Sequence, residues 1–242
     1  MRGTVAGKPA TQVDEGDSIA VSGASPTDHY VSRGAHKLLG ALAAFPDVRV
    51  AGVDCLDAGA STGGFTQVLL ERDAARVLAV DVGYGQLAWS LRNDPRVIVR
   101  ERTNIRLLTP ADVPFVPSLV VADLSFIPLE LVIPALASVS APDVDMLLMV
   151  KPQFEVGREA VGDGVVRDPQ LRSSAVLGVA HSAIGAGLAV RGVAASPLPG
   201  PSGNVEYFLW LRRPASERMS PADLIGTELD RAVMDAIEKG PP

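Results

Sequence analysis

Four charged side chains, widely separated along the chain, have the residue types needed to handle a weakly acidic hydroxyl group. They are two amines and two carboxylates, in the order Lys37, Asp123, Lys151 and Glu206. A hydroxyl oxygen attacks an electrophile faster when a neighbouring group orients it or accepts its proton. At Lys151 both roles stay open: a neutral amine that accepts the proton, or a charged amine that only orients the hydroxyl. Each residue alone could instead form a structural salt bridge, but four of them around one predicted sheet edge favour catalysis.

A glycine-rich turn, DAGASTGGF, spans residues 57–65 and follows an apolar run. Its small residues allow a sharp turn out of a strand and a close approach to a ligand. The spacing of Gly59, Gly63 and Gly64 differs from the dinucleotide pattern GxGxxG, and the turn lacks the lysine of a phosphate loop. Asp81 ends the next predicted strand, where its carboxylate can accept hydrogen bonds from ribose hydroxyls or cap a helix. S-adenosylmethionine fits this pattern better than NAD, because no pyrophosphate has to be held.

The turn and the following strand ends predict the cofactor contacts. We expect Asp57 and the backbone near Gly59 to hold the methionine amino end. Asn104 is expected to recognise the adenine or the ribose, although an asparagine that only completes a loop turn fits the pattern almost as well. The predicted cofactor-binding set is Asp57, Gly59, Ala60, Ser61, Thr62, Gly63, Gly64, Phe65, Asp81, Val82, Asn104 and Asp123. No metal site is predicted.

Strands alternate with helices along most of the chain, which predicts an α/β fold with a mostly parallel sheet and helices on both faces. Ligands of such sheets collect at the carboxyl ends of the strands. A helix capped by Ser32 is predicted to run to Phe45 and to carry Lys37. The predicted strands are 53–58, 76–81, 97–100, 118–123, 145–150, 189–195 and 205–211, the last two forming an antiparallel edge. The other predicted helices are 64–72, 86–93, 128–138, 169–186 and 221–238.

Composition narrows the class of protein further. The 242 residues, 47% hydrophobic, can bury the core of one large domain. The single cysteine, Cys55, excludes a disulfide framework and predicts a buried, inert thiol in a reducing compartment. The N-terminus does not resemble a signal peptide, and no apolar run reaches the ~20 residues that a membrane helix requires. We therefore expect a cytoplasmic protein.

A net charge of −6 argues against a generally basic nucleic-acid surface, so an RNA substrate would need a local one. Four arginines beside the motifs are the predicted RNA contacts, although solvated surface charges explain each one alone equally well. Phe126 and Phe154, close behind Asp123 and Lys151, could stack on bases, and core packing is the alternative for both. The four predicted RNA-binding residues are Arg33, Arg102, Arg106 and Arg158.

Six ordered motifs, SRGAHKL, CLDAGASTGGFT, DVGYGQL, VVADLSFI, VKPQFEVG and PLPGPSGNVEYFLWL, together resemble the TlyA family of rRNA 2′-O-methyltransferases, a branch of the FtsJ-like methyltransferases that is sometimes labelled haemolysin. The resemblance runs from Val31 to Leu211. It implies a class I S-adenosylmethionine-dependent methyltransferase fold, which is Rossmann-like with a seven-stranded sheet. It also implies methylation of cytidine 2′-hydroxyls in 16S and 23S rRNA, with rRNA in ribosomal subunits as the partner. We expect neither a membrane nor a metal as a partner; the sequence leaves the oligomeric state open and favours a monomer.

Residue by residue, the resemblance assigns a catalytic tetrad to Lys37, Asp123, Lys151 and Glu206, and a cofactor loop to 59–65. It also implies a domain organisation: a remnant of an S4-like RNA-binding domain at 1–22, a linker at 23–31, the FtsJ-like domain at 32–213, and a C-terminal helix and tail at 214–242. The family's basic helical half of the S4-like domain has no counterpart after Met1. Either the true start lies upstream, or RNA binding is weaker or needs a partner.

Two other functions are compatible with parts of the sequence. A membrane-active haemolysin is suggested by the family label, but the chain has neither a spanning segment nor a strongly cationic amphipathic helix. A catalytically idle RNA-binding remnant is suggested by the short N-terminal segment. The presence of all four tetrad residues together with the glycine-rich turn argues against loss of catalysis.

Overall fold

The fold was determined from a computed structural model, which describes residues 29–213, 220 and 222–241. The predicted S4-like remnant at 1–22 and most of the predicted linker lie outside the described residues. Pro221, the predicted start of the last helix, also lies outside them. The linker's final residues, 29–31, are described and lie against the second helix of the fold.

The described chain forms one seven-stranded sheet in the order β3-β2-β1-β4-β5-β7-β6. The first five strands are parallel, while β7 runs antiparallel between β5 and the edge strand β6. The predicted class, a mostly parallel sheet with an antiparallel edge, is therefore confirmed, and every predicted strand is present with ends shifted by no more than two residues. The strands are β1 Asp54–Ala58, β2 Arg76–Val80, β3 Val97–Arg100, β4 Leu119–Ala122, β5 Asp145–Val150, β6 Ala189–Ala195 and β7 Tyr207–Arg212.

Eight α-helices accompany these strands among the described residues. Two short ones, α5 and α6, directly follow β5 and were not predicted, because four residues are too few to show helical periodicity. The helices are α1 Gly34–Ala44, α2 Gly64–Glu71, α3 Trp89–Arg92, α4 Ile133–Val139, α5 Pro152–Glu155, α6 Arg158–Val161, α7 Pro169–Gly185 and α8 Gly226–Lys239.

Four helix predictions need correction. The helix predicted for 86–93 is confined to Trp89–Arg92, and the one predicted for 221–238 begins at Gly226. Ser32 does not cap α1: Arg33 occupies the cap position without a side-chain hydrogen bond, and the Ser32 hydroxyl lies against Gly64 at the start of α2. The single helix predicted for 128–138 is divided into a 3₁₀ turn at Leu129–Leu131 and α4. Pro134 explains the break, because it has no N–H to continue the hydrogen-bond pattern and is tolerated only in a first turn.

The sheet is buried on both faces, and this decides where polar groups can be placed. Side chains of α1, α2 and α3 pack on one face, and those of α4, α7 and α8 on the other. Cys55 lies inside the first of these layers, where burial raises the pKa of its thiol to about 12. With both faces apolar, the loops at the carboxyl ends of β1, β2, β4 and β5 provide the polar surface, as the sequence predicts.

The C-terminal helix α8 is packed into this core. Leu229, Val233 and Ile237 supply its buried stripe, as the helical spacing predicts. Arg191 on β6 forms an ion pair with Asp223, at 3.0 Å, just before the helix. The segment after 213 is therefore part of the same hydrophobic core in its described portion.

Asp57 is a buried carboxylate at the end of β1. Its side chain is fully inaccessible, its Oδ2 accepts a 2.6 Å hydrogen bond from the Thr66 hydroxyl on α2, and its Oδ1 has no partner among the described residues. Burial raises the pKa of Asp57 to about 7, and the nearby charges of Asp123 and Asp81 act in the same direction. The neutral acid is thus the form that the folded protein prefers.

This buried acid makes stability depend on pH in a defined direction. The unfolded chain releases the Asp57 proton near its ordinary value of 3.8, whereas the folded protein keeps it up to about pH 7. The free energy of unfolding therefore falls as pH rises from about 4 to about 7, by up to about 1.4 kcal/mol per pH unit. Asp57→Asn cannot titrate, so we expect urea unfolding of this variant to show a correspondingly shallower pH dependence. The exposed Asp47→Asn is the control, and equal slopes for Asp57→Asn and the unmodified protein would contradict the assignment.

Candidate active site

The turn after β1 has an unusual backbone that brings it close to the loop after β4. Gly59, Ser61 and Gly63 all have positive φ, at 85°, 48° and 103°. A Cβ on Gly59 would lie 2.6 Å from the backbone oxygen of Asp123, so only glycine allows this approach. At Gly63 a Cβ would collide with Leu91, because this residue begins α2 against α3. The turn is therefore fixed on both sides.

Asp81, directly after β2, holds this turn in place. Its Oδ2 accepts the Ser61 N–H at 2.8 Å, and its Oδ1 accepts the Gly83 N–H at 2.7 Å. A carboxylate has about four acceptor sites, so two remain for a ligand. The hydrogen bond from Ser61 also offsets part of the cost of its left-handed conformation, about 1–3 kcal/mol.

A large cleft of about 460 Å³ opens between the loops after β1, β2, β3 and β4. Apolar side chains provide much of its wall, and Asp81 and Asn104 provide polar groups. The Asn104 Oδ1 accepts the Arg106 N–H at 3.1 Å, which leaves its amide nitrogen to donate. The lining residues are Gly59, Ser61, Val80, Asp81, Val82, Gln86, Thr103, Asn104, Ile105, Asp123, Leu124, Ser125, Phe126 and Ile127.

A second cleft of about 240 Å³, the amine cleft, lies between α1 and the loops after β1, β4 and β5. It contains both lysines that the sequence predicts to act together. Its lining residues are Ser32, Arg33, Gly34, Lys37, Gly59, Ala60, Ser61, Thr62, Gly64, Phe65, Asp123, Ser125, Lys151 and Pro201. Gly59, Ser61, Asp123 and Ser125 line both clefts, so the two spaces adjoin at the turn after β1 and the loop after β4.

Lys151 lies beside these four residues, which we call the shared wall of the two clefts. Its Nζ lies 2.5 Å from Asp123 Oδ1 and donates a 2.9 Å hydrogen bond to the Ser125 hydroxyl. The Asp123 contact has the distance of an ion pair without the angle of a directed hydrogen bond. Lys151 is 7% exposed, so the amine is largely shielded from water. Lys151 donates one of its three N–H groups to Ser125 and is held by the charge of Asp123, so it keeps N–H groups for a ligand in the cleft.

Lys37 forms the other pair. Its Nζ lies 2.5 Å from Glu206 Oε2, and both residues are buried, at 4% and 1% exposed. Glu206 directly precedes Tyr207, the partner of Val150 in the last ladder pair of β5 and β7, so continuation of the antiparallel register places Glu206 opposite Lys151. Gly200 covers it: a Cβ there would lie 2.7 Å from Glu206 Oε1. The four charges thus form two ion pairs side by side at the carboxyl end of β5.

Not every predicted site residue reaches a cleft. Asp57 lies beneath the turn, hydrogen-bonded to Thr66, and Gly63 faces Leu91. Glu206 lies behind Lys37 and does not line the amine cleft. Asp57 and Gly63 belong to the packing between the turn and the helices α2 and α3, whereas Glu206 belongs to the ion pair with Lys37. The other predicted cofactor-binding residues, Gly59–Thr62, Gly64, Phe65, Asp81, Val82, Asn104 and Asp123, line one cleft or both.

The predicted RNA-binding arginines lie in three separate segments: before α1, after β3 and at the start of α6. Arg33 lines the amine cleft, Arg106 is exposed beside Asn104, and Arg158 is the first residue of α6. Arg102 has a positive φ of 53° and lies over the ring of Tyr84, with its guanidinium carbon 4.2 Å from the ring centroid. Tyr84 is 69% exposed, so this cation–π pair faces solvent.

Phe126 and Phe154 form a second aromatic feature at the edge of the large cleft. Their ring centroids are 5.0 Å apart, and Phe126 is 90% exposed with a positive φ of 63°. An exposed phenylalanine in a strained backbone is poorly explained by core packing, the alternative that the sequence leaves open. The sequence predicts neither Ser125 nor Tyr84 as site residues. The position of Ser125 two residues after Asp123, at a strand end, is a signal that could have found it.

No group of three or more His, Cys, Asp or Glu residues that could hold a metal ion occurs in the part of the chain that the structure describes. Within the same residues, no helix has the length and apolar character needed to cross a membrane.

Comparison with known proteins identifies the family. The model of the FtsJ-like methyltransferases matches residues 30–213. The 16S/23S rRNA (cytidine-2′-O)-methyltransferase TlyA of Mycobacterium tuberculosis is 58% identical over 240 residues, which cover 99% of this chain and 87% of that protein. A solved structure from Streptococcus thermophilus, named as a candidate hemolysin, is 40% identical with a TM-score of 0.80, covering 87% of this chain and 75% of that one.

A more distant structure supports the fold alone. An S-adenosylmethionine-dependent methyltransferase from Mesorhizobium loti, 16% identical, has a TM-score of 0.52 and covers 72% of this chain and 96% of that chain. The predicted class I, Rossmann-like architecture is confirmed. The matched segment contains the turn after β1, both clefts and both ion pairs, and the chain belongs to the FtsJ-like methyltransferase family.

Proposed function

We propose that this chain is an S-adenosylmethionine-dependent enzyme that methylates cytidine 2′-hydroxyls of 16S and 23S rRNA, with residues 32–213 as its catalytic domain. The observation that carries the proposal is that Gly59 and Asp123 line both the large cleft, which has the size of a nucleoside site, and the amine cleft, which contains two buried lysines. The substrate is proposed from the 58% identical relative, whose name states that reaction. Ribosomal subunits as the partner also support a cytoplasmic location.

The large cleft has the size and chemistry for S-adenosylmethionine. Its volume of about 460 Å³ lies within the range of small-molecule sites, roughly 300–1,000 Å³. The two remaining acceptor sites of Asp81 suit ribose hydroxyls, and the Asn104 amide suits the adenine. Val82, Ile105 and Leu124 offer an apolar wall for a flat base. The buried Oδ1 of Asp57 has no partner among the described residues and lies under the turn, where a bound cationic group would favour the charged form of this carboxyl.

When bound, S-adenosylmethionine supplies a methyl group on a positively charged sulfur. Lys151 donates an N–H to the substrate hydroxyl oxygen and so aims that oxygen toward the large cleft. As the oxygen bonds to the methyl carbon and the carbon–sulfur bond breaks, the hydroxyl proton passes to the Asp123 carboxylate, the acceptor of the ion pair with Lys151. Ser125 and Asp123 fix the amine, which would otherwise be free to rotate.

Lys37 and Glu206 have a supporting electrostatic role in this proposal. Their pair is almost completely buried, and removing one partner of such a pair leaves an uncompensated charge at a cost of about 3–5 kcal/mol. Because Lys37 also lines the amine cleft, it can contact the ribose or its phosphate, while Glu206 holds it in place from behind.

RNA would approach the side of the molecule on which the two clefts open, where exposed aromatic side chains and arginines lie. The Tyr84–Arg102 pair presents a flat cationic surface, and Phe126 with Phe154 presents an apolar one. Unpaired RNA bases stack on surfaces of both kinds. Arg33 at the amine cleft, together with Arg106 and Arg158, is proposed to contact phosphates, which compensates locally for the acidic net charge.

The close approach of Gly59 to Asp123 predicts a selective loss of cofactor binding. Gly59→Ala adds a Cβ 2.6 Å from the Asp123 oxygen, which must push the turn and the loop after β4 apart. We expect its affinity for S-adenosylmethionine, measured by calorimetry, to fall at least about tenfold, or about 1.4 kcal/mol. Gly52→Ala is the matched control, since Gly52 has a similar φ of 73° but meets only the tip of Arg49 at 3.6 Å. Both variants should lose about 1–2 kcal/mol of stability from backbone strain, and equal cofactor affinities would refute the selective effect.

The role of Lys151 is tested by mapping ribose methylation of rRNA by mass spectrometry. Lys151→Ala removes the group that orients the hydroxyl beside the proton-accepting Asp123 carboxylate, so turnover on ribosomal subunits should fall about 10²–10⁴-fold. Its affinity for S-adenosylmethionine should stay within about threefold, because Lys151 does not line the large cleft. The exposed Lys239→Ala serves as the control. Unchanged turnover of Lys151→Ala would exclude the mechanism.

A further inference from the structure

The segments that leave the neighbouring parallel strands β4 and β5 are joined along their whole length. Lys151 contacts Asp123 and Ser125 at the strand ends, and Phe154 packs on Phe126 in the middle. At the far end, the Glu155 carboxylate accepts the backbone N–H of Leu129, with its two oxygens at 3.1 and 3.3 Å. The contacts occur in the same order along both segments, so the last one closes a continuous row.

We propose that Glu155 is a positioning residue for the methyl transfer: through the Leu129 N–H, its carboxylate holds segment 123–129 against segment 151–155 and thereby keeps Asp123 and Ser125 at Lys151. The inference rests on the proposed function, since it assigns Glu155 to the same site. Glu155 lines neither cleft, so it acts through the residues that it positions.

The Leu129 N–H needs a partner from outside its own segment. Leu129 begins the 3₁₀ turn Leu129–Leu131 and is 2% exposed, and Pro128 before it offers no side-chain cap. A buried backbone N–H without a partner is destabilising, because it loses its hydrogen bond to water. Glu155 is thus the external cap of this turn. Without it, the segment would gain by moving toward water.

The loop between the two ends is strained and cannot hold its shape alone. Phe126 has a φ of 63°, a left-handed conformation that is unfavourable in a residue other than glycine. It lies between the Asp123–Lys151 contact and the Glu155–Leu129 contact. Anchoring at both ends is what keeps such a strained segment in one conformation.

The electrostatic surroundings make Glu155 an unusual choice for packing alone. The pKa of Glu155 is raised to about 7. Burial is the main cause, the Leu129 hydrogen bond lowers the pKa, and the neighbouring charge of Glu130 raises it. Among the described residues Glu155 forms no ion pair within 4 Å. A half-buried carboxylate that only a backbone N–H compensates is costly, and a glutamine could accept the same hydrogen bond without that cost.

Two readouts test the proposal. One is amide hydrogen exchange of residues 123–131, which requires no catalysis, and the other is methyl transfer to ribosomal subunits. For Glu155→Ala we expect at least about tenfold faster exchange at Leu129 and at least about a tenfold lower kcat, since small misplacements at a reacting centre are costly. The affinity for S-adenosylmethionine should fall by a smaller factor than kcat, because Asp81 and Asn104, its proposed polar contacts, lie outside the loosened segment. Glu155→Gln keeps an acceptor oxygen and should recover at least about half of kcat at pH near 8.

The controls separate positioning from general stability. Glu238→Ala, at an exposed position on α8, should change neither readout. Because protonated Glu155 and Glu155→Gln both keep an acceptor oxygen for the Leu129 N–H, the two proteins should have similar kcat values below about pH 7. Unchanged exchange at Leu129, or faster exchange spread evenly over the molecule, would overturn the proposal. If Glu155→Ala does not fold, Glu155→Leu, which fills more of the space but has no acceptor, decides by the same exchange measurement at Leu129. If the unmodified protein transfers no methyl group, the proposed function fails, while the exchange experiment still decides whether Glu155 holds the loop.

Discussion

The site depends on how closely the turn after β1 approaches the backbone after β4. At Gly59 there is no room for even one additional carbon atom beside the Asp123 carbonyl. Because the two loops touch, the two clefts share lining residues at this contact, and Asp123 contributes to both. A methyl donor in one cleft and an acceptor hydroxyl in the other would then meet where the clefts adjoin. The parallel sheet makes the approach possible, since it brings the carboxyl ends of β1 and β4 together as neighbours.

Ion pairing sets the second constraint, because both amines are nearly removed from water. Two buried lysines without partners would be strongly unfavourable, and each one has a carboxylate at 2.5 Å. The two ion pairs also hold the two lysines at different places in the amine cleft. Lys151 is held at the shared wall by Asp123 and Ser125, while Lys37 is held farther back by Glu206. The loop 197–204 closes over the second pair through Gly200.

The sequence predicted the sheet well because its strands are short apolar runs bounded by glycine, proline and charged residues. It also predicted the turn after β1, because a run of small residues directly after an apolar strand allows a sharp turn. The pairing of Lys37 with Glu206 could not be predicted in the same way, since 169 positions separate them and only the insertion of β7 beside β5 brings them together. The burial of Asp57 under α2 and the contact of Glu155 with Leu129 depend on side-chain directions that periodicity does not report. Ser32 looked like a helix cap by residue type, but packing against Gly64 directs its hydroxyl elsewhere.

The central claim is that the large cleft holds the methyl donor with its reactive end at the shared wall. A crystal structure with S-adenosylhomocysteine tests this most directly. The account predicts that the adenosine lies between Asp81 and Asn104 and that the sulfur lies beside Gly59 and Asp123, facing Lys151. A nucleoside bound in the amine cleft, or a sulfur directed away from Asp123, would contradict it.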